Sequence, residues 1–164
     1  MDTGQSTIHT RGYFGIGIYG AKYGSNVGTL WRSAHLMQAG FIFTIGHRYT
    51  PVPSDTHKSW RQVPLFEYDT FDQFRAALPK GARLVGVELT GGSIPLPEYT
   101  HPACAVYLLG AEDHGLPQEV LDACDDVVQI PSANSLNVAV AGSIVAYDRL
   151  AKAAMHAQPH APHE

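Results

Sequence analysis

Short apolar runs alternate along this chain with longer stretches of helical rhythm, the pattern of an α/β domain whose mostly parallel sheet is flanked by helices. The first run, 13–19, reads as a strand; residues 26–38 then read as a helix, which Gly40 stops before a second strand over 41–45. Together they make one βαβ unit. A Pro- and Ser-rich connection with a short helical turn near 57–61 follows, then a brief strand over 65–68 and a helix over 71–78 with Asp69 or Thr70 as its cap. Pro79 and Gly81 close that helix. Predominantly apolar runs over 84–89 and 105–109 have the character of central strands covered on both faces. Pro117 suits the first turn of a short helix ending near Ala123, and the longest helix, rich in alanine, runs from Asn137 to about Met155. Residues 1–12 and 157–164 lack such a pattern and are expected as flexible ends on a single domain spanning 13–156.

Composition narrows the class. With 164 residues, 45% of them hydrophobic and 16% charged, the chain is too apolar for disorder and has the size of one domain. No apolar run reaches the roughly 18 residues that span a bilayer, and no basic stretch leads into an apolar segment at the start, so a cytoplasmic protein without membrane association is expected. Cys104 and Cys124 stand far apart with no Cys-x-x-Cys pair, which implies neither a disulfide framework nor a zinc cage. The nine histidines make no metal-ligand pattern, with His9, His101, His156, His160 and His163 in loops or the tail and His114 at an exposed loop position, and no metal is expected. Net charge is −4, yet residues 1–61 carry +4 and residues 62–164 carry −8, so a basic surface in the first part could face phosphate. Tyr13, Tyr19, Tyr23 and Trp31 lie in that part and read either as base-stacking residues or as core and interface.

Gly15, Gly17 and Gly20 spell the dinucleotide pattern G-x-G-x-x-G in the wrong context. They fall inside the first strand, the helix starts several residues later, and no acidic residue stands between Asp2 and Asp55 to take a ribose hydroxyl. They read instead as close-packing or bulge positions.

The chemistry sits in three separated blocks. Asn26-Val27-Gly28-Thr29-Leu30-Trp31-Arg32 opens the first helix, with Asn26 able to cap it and Arg32 about two turns in. Leu108 to Pro117 forms a glycine-bracketed loop at the C-terminal end of a buried strand, the edge where open α/β sheets bind ligands. Ile130 to Val138 is a turn-rich loop of small polar groups feeding the last helix. In this order and spacing the blocks resemble the three signature motifs of the SpoU/TrmH branch of the SPOUT RNA methyltransferases, through Asn26, Gly28 and Arg32, then Gly110, Glu112 and Gly115, then Ile130, Pro131, Ser135, Leu136 and Asn137.

That resemblance implies an α/β fold whose C-terminal segment threads a loop into a trefoil knot, an exception to unknotted connections. It implies S-adenosylmethionine as cofactor, held by Leu89, Thr90, Gly91, Leu109, Gly110, Glu112, Gly115, Ile130, Pro131, Ser135 and Leu136. It implies a homodimer through helices that include the first and last, with transfer of a methyl group to a ribose 2'-hydroxyl at a site that Arg32 completes across the interface. Arg32 would position phosphate and stabilise an emerging alkoxide, since a guanidinium, with a pKa above about 12, is a poor resting base. Ser135 and Asn137 would orient the hydroxyl and the guanidinium, Asn137 also reading as a helix cap. Glu112 reads either as a structural bridge within the loop or as a ligand-side group. Lys22, Asn26 and Arg32 are the candidate RNA contacts.

The third loop is shorter than in many relatives, with Ser132, Ala133 and Asn134 alone between Pro131 and Ser135, and the chain resembles minimal members that act on the tRNA anticodon loop. Ribose methylation of tRNA is the leading reading, with rRNA as the alternative substrate. A silent RNA-binding module has no need for Arg32, Ser135 and Asn137 together, and the complete first motif favours ribose over base.

Overall fold

A strand flanked on both sides in a parallel sheet has two faces to bury, and Cys104–Gly110 fills both. Ala105, Tyr107 and Leu109 point into one core, while Val106 and Leu108 point into the other. In this computed structural model, which describes residues 12–51 and 62–157, that strand is β6 of a seven-stranded parallel sheet. The others are β1 (Tyr13–Tyr19), β2 (Phe41–Ile45), β3 (Leu65–Tyr68), β4 (Arg83–Val87), β5 (Ile94–Pro95) and β7 (Asp126–Gln129), in the order β3-β2-β1-β6-β4-β7-β5. Helices α1 (Gly24–Leu36) and α4 (Val138–Ala157) pack together over one face, burying Leu30, Ala34, Val145 and Ala146 against Ile16, Tyr107 and Leu109. On the other face α2 (Phe71–Ala77) and α3 (Gln118–Asp122) bury Phe74 and Val120 against Phe43, Val106 and Leu108.

The order of strands sets where function can reside. From β1 the chain moves outward through β2 and β3, then returns to the opposite side of β1 to build β4 and β6. The border between β1 and β6 is therefore a topological switch point, and the crevice beyond its carboxyl ends is where such sheets bind ligands. On that side β7 lies between β4 and β5, so the 88–93 connection crosses the end of β7. Ile94 pairs with Val128, which also pairs level with Val87, so β5 begins at the height where β4 stops.

Several boundaries differ from the sequence reading. The first helix begins at Gly24 with Tyr23 as its cap, so Asn26 lies within the first turn and its side chain is free for another partner. The run 84–89 stops being strand at Val87, and Leu89 is 51% exposed. The two short strands β5 and β7 have no counterpart in the apolar pattern. Thr70, not Asp69, caps α2, its Oγ1 accepting from the Gln73 amide at 3.2 Å. Gly15 and Gly17 are close-packing positions, since a Cβ at either would overlap the ring of Phe41 or Phe43. The turn expected near 57–61 and the flexible ends lie outside the described residues, apart from Gly12 and from Ala157, which closes α4.

Candidate active site

Three segments distant in sequence meet beyond the C-terminal ends of β1 and β6. Asn26 comes from the first turn of α1, Glu112 from the loop after β6, and Asn137 from the residue that precedes α4. Asn26 Nδ2 donates to Glu112 Oε1 at 3.0 Å, and Asn137 Nδ2 donates to the same oxygen at 2.6 Å and to Asn26 Oδ1 at 3.1 Å. Asn137 Oδ1 in turn accepts from the amides of Ala139 and Val140, at 3.0 and 3.2 Å, and so caps α4. One asparagine thus starts the last helix and ties its end to the other two motifs. Glu112 bridges side-chain amides rather than loop amides, and Asn26 is committed to this triad rather than to a helix cap.

Beside the triad opens a solvent-accessible cleft. Its walls are apolar where β4, β6 and β7 end, at Val87, Leu109 and Ile130, and where α4 begins, at Val138 and Ala141; Glu88, Glu112, Ser132 and Ser135 supply the polar groups. Of the residues assigned to the cofactor, Leu89, Leu109, Gly110, Glu112, Gly115, Ile130, Ser135 and Leu136 line this cleft. Thr90, Gly91 and Pro131 do not. A local turn draws Thr90 away: its amide donates to Ser93 Oγ at 3.1 Å, and that hydroxyl donates back to the Thr90 carbonyl at 2.8 Å. Past Pro131, Ser132 Oγ donates to the carbonyls of Ile130 and Asn134, which folds the loop and leaves the proline exposed. Val87, Glu88, Ala111, Ser132, Val138 and Ala141 also line the cleft and were not singled out from sequence. Val87, Val138 and Ala141 read there as ordinary core, whereas Glu88 carries a local signal, being the single charged residue in the run 84–89.

The glycine brackets have a steric cause. A Cβ on Gly110 would overlap the backbone of Gly115 and Leu116, where the loop folds back through a bridge between Ala111 and Gly115 and the Gly115 amide donates to the Ala111 carbonyl at 2.9 Å. Gly115 itself has φ +61°, a conformation that L side chains rarely adopt.

Arg32 lies outside the cleft. It is exposed on α1 and makes no hydrogen bond or ion pair among the described residues, so the structure does not bring it to Ser135 or Asn137 within one chain. Ser135 sits exposed at the cleft wall. Lys22 is ion-paired with Asp113 of the loop after β6, both side chains about half exposed, an arrangement worth little in stability. His114 is exposed. Among the described residues no group of three or more His, Cys, Asp or Glu is arranged to hold a metal ion, and no helix is long and apolar enough to cross a membrane.

A parallel sheet with a glycine-lined cleft at its switch point, and a side-chain triad drawn from three separated segments, defines a ligand-binding α/β domain. The chain belongs to the SpoU rRNA Methylase family, whose model matches residues 14–147. It is 30% identical over 142 residues to a tRNA (cytidine(34)-2'-O)-methyltransferase of Ancylobacter novellus, covering 79% of this chain and 87% of that one. It is 27% identical over 135 residues to the tRNA (guanosine(18)-2'-O)-methyltransferase TARBP1 of Mus musculus, covering 76% of this chain but 8% of that far longer protein. Among solved structures, one that concerns the 2-OH methylation of C/U34 on tRNA superposes with TM-score 0.73 at 27% identity, over 86% of this chain and 91% of the other. An AdoMet-bound rRNA methyltransferase from Sinorhizobium meliloti superposes with TM-score 0.73 at 25% identity, over 91% of this chain and 58% of the other.

Proposed function

We propose that this protein transfers a methyl group from S-adenosylmethionine to a ribose 2'-hydroxyl of tRNA. The observation that carries the reading is convergence: one residue from each of three family motifs, Asn26, Glu112 and Asn137, bonded into a triad beside an open cleft whose walls are largely apolar. Two relatives named for 2'-O-methylation of tRNA, one of them nearly coextensive with this chain, favour tRNA over rRNA. Such a substrate agrees with a cytoplasmic protein.

The cleft suits the donor. Apolar walls at Val87, Leu109, Ile130 and Val138 match a nucleoside base, and the glycines at 110 and 115 let the loop after β6 fold tightly at the edge of the cleft. Bound there, S-adenosylmethionine supplies an electrophilic methyl group on its sulfonium. The triad holds the loops on either side of the cleft in register, which fixes the approach geometry that a displacement reaction requires. Ser135, at the cleft wall, orients the acceptor hydroxyl. Arg32 positions the neighbouring phosphate and stabilises the alkoxide as the proton leaves. Lys22 and Asn26 stand at the same rim, Lys22 exchanging Asp113 for phosphate when RNA arrives.

Arg32 reaches this chemistry from a second copy of the chain. Helical spacing puts Ser25, Thr29, Arg32 and Leu36 on one outward stripe of α1, and Val140, Ile144, Tyr147, Ala151 and Met155 on the outward stripe of α4 beside it. Leu36, Tyr147 and Met155 are 65%, 61% and 73% exposed, an apolar face suited to a homodimer. The trefoil knot belongs to the same reading, in which the chain after β7 threads the connection between β4 and β5 on its way to α4; β7 lying between β4 and β5 supports it.

The test is methyl transfer by the purified protein to unmodified tRNA, with the product mapped by mass spectrometry as a ribose methyl. Arg32→Ala is expected to abolish transfer, by at least about 100-fold if it stabilises the alkoxide, while cofactor affinity measured by calorimetry stays within a few-fold. A wild type that binds no S-adenosylmethionine would end the proposal.

A further inference from the structure

Glu88 is the one cleft-lining acid that lies outside all three motifs. It follows the last residue of β4, is half-buried, and has its carboxylate held in place by two amides: Leu116 N donates to Oε2 at 2.9 Å and Leu89 N donates to Oε1 at 3.1 Å. Room for the group is made by Gly115, since a Cβ there would overlap the Glu88 carboxylate. A carboxylate offers about four acceptor positions. Two amides, one on each oxygen, leave one further position on each, on a group that forms part of the cleft wall.

Two adjacent acceptors call for two adjacent donors. The methyl donor offers such a pair in its ribose 2',3'-diol, and a cationic alternative in its α-ammonium. Charge decides between them. Among the described residues of one chain, those lining the cleft include Glu88 and Glu112 but no Lys, Arg or His, so the carboxylate beside that ammonium would be buried without a cation from the same chain. The amino-acid end is better left in water, and the nucleoside is the part that the apolar walls enclose. An acid that takes a ribose diol is also the solution used by dinucleotide-binding sheets, although there it stands after the second strand.

We propose that Glu88 accepts both ribose hydroxyls of the methyl donor, and so is the residue that selects and orients its nucleoside. This rests on the cleft being the donor's site. It also separates two jobs for acids at one cleft, with Glu112 locking the loops through Asn26 and Asn137 and Glu88 facing the ligand.

Calorimetry with three probes tests it: S-adenosylmethionine, 5'-methylthioadenosine, which lacks the amino acid, and 2',3'-dideoxy-5'-methylthioadenosine. The wild type is expected to bind the dideoxy compound about 10- to 100-fold more weakly than its diol parent, as loss of hydrogen bonds to a charged group implies. Glu88→Gln is expected to weaken S-adenosylmethionine and 5'-methylthioadenosine by a similar factor, while the dideoxy compound loses little more. Equal wild-type affinity for the diol and dideoxy compounds would overturn the proposal with no variant needed. A variant that loses S-adenosylmethionine but keeps 5'-methylthioadenosine would overturn it in favour of the ammonium, and equal loss for all three would mark Glu88 as a structural brace. Failure of the wild type to bind any of the three would instead bring down the donor-site reading beneath it.

Discussion

The two ends of this sheet are built from the same kinds of side chain and do opposite things with them. At the N-terminal ends of β1 and β6 lies a closed network. Arg149 of α4, 6% exposed, donates to the carbonyls of Pro102, Ala103 and Tyr13 and to Tyr107 Oη. Tyr107 Oη then donates to His101 Nδ1 at 2.6 Å, which leaves the proton on Nε2 to bond Asp148 at 2.8 Å, and Lys152 closes the ring on Asp148. Lys152 also donates to the carbonyls of Leu96 and Tyr99, so the whole 96–103 segment is strapped to the last helix. At the C-terminal ends the amide and carboxylate triad is exposed, a cleft lies open beside it, and Arg32 projects into solvent. Polar groups saturated by one another specify a fold; polar groups with spare valences at a switch point specify a ligand.

The two arginines break this contrast most sharply. Arg149→Ala leaves three carbonyls and a tyrosine hydroxyl short of their donor and is expected to cost about 3–5 kcal/mol of folding stability in denaturant titration. Arg32→Ala, the variant expected to abolish transfer, is expected to change the same titration by less than about 0.5 kcal/mol, because an exposed side chain with no hydrogen bond or ion pair among the described residues holds little together. Comparable stability losses for the two would erase the distinction.

A smaller effect follows from protons. Burial pushes the His101 imidazole below its usual pKa of 6.5, outweighing the upward pull of Asp148, while Lys152 and Arg149 press in the same direction as burial. A group whose pKa is depressed on folding stabilises the fold in its neutral form. The contribution is present in full above pH 6.5, the unfolded value, and is lost as pH falls through the lower folded value. Protonation at Nδ1 would also end the bond from Tyr107, whose own hydroxyl burial raises to about 12. Thermal melts between pH 8 and about 5 are expected to fall more steeply for the wild type than for His101→Asn; parallel slopes would take His101 out of the network's titration.

Legibility in the sequence followed the range of the forces involved. β1, β2 and β3 lie where the apolar runs put them, because each is a short segment rich in aromatic residues, joined by isoleucine in β1 and β2, between turn residues. β5 and β7 escaped because two residues, Ile94 and Pro95, and four beginning with an acid, Asp126, carry too little pattern; their pairing is decided by neighbours far away in sequence. The start of α1 was misplaced because Gly24 and Ser25 are weak helix formers and Tyr23 offers no side-chain cap. In the site, the motif residues carried local signatures of glycine, amide and acid. What was hidden is relational: that Asn26 and Asn137 share one oxygen of Glu112, and that Glu88 stands under Gly115.

The central claim, that a cleft in one copy works with the arginine of another, has a direct measurement. Ala141→Phe fills the cleft from α4 while leaving Arg32 in place, and Arg32→Ala does the reverse. Each variant alone is expected to be inactive. Co-expressed with different tags and purified as a mixed dimer, they contain one whole site of two, so the account requires about half the wild-type transfer rate. A mixed dimer as inactive as its parents would contradict it.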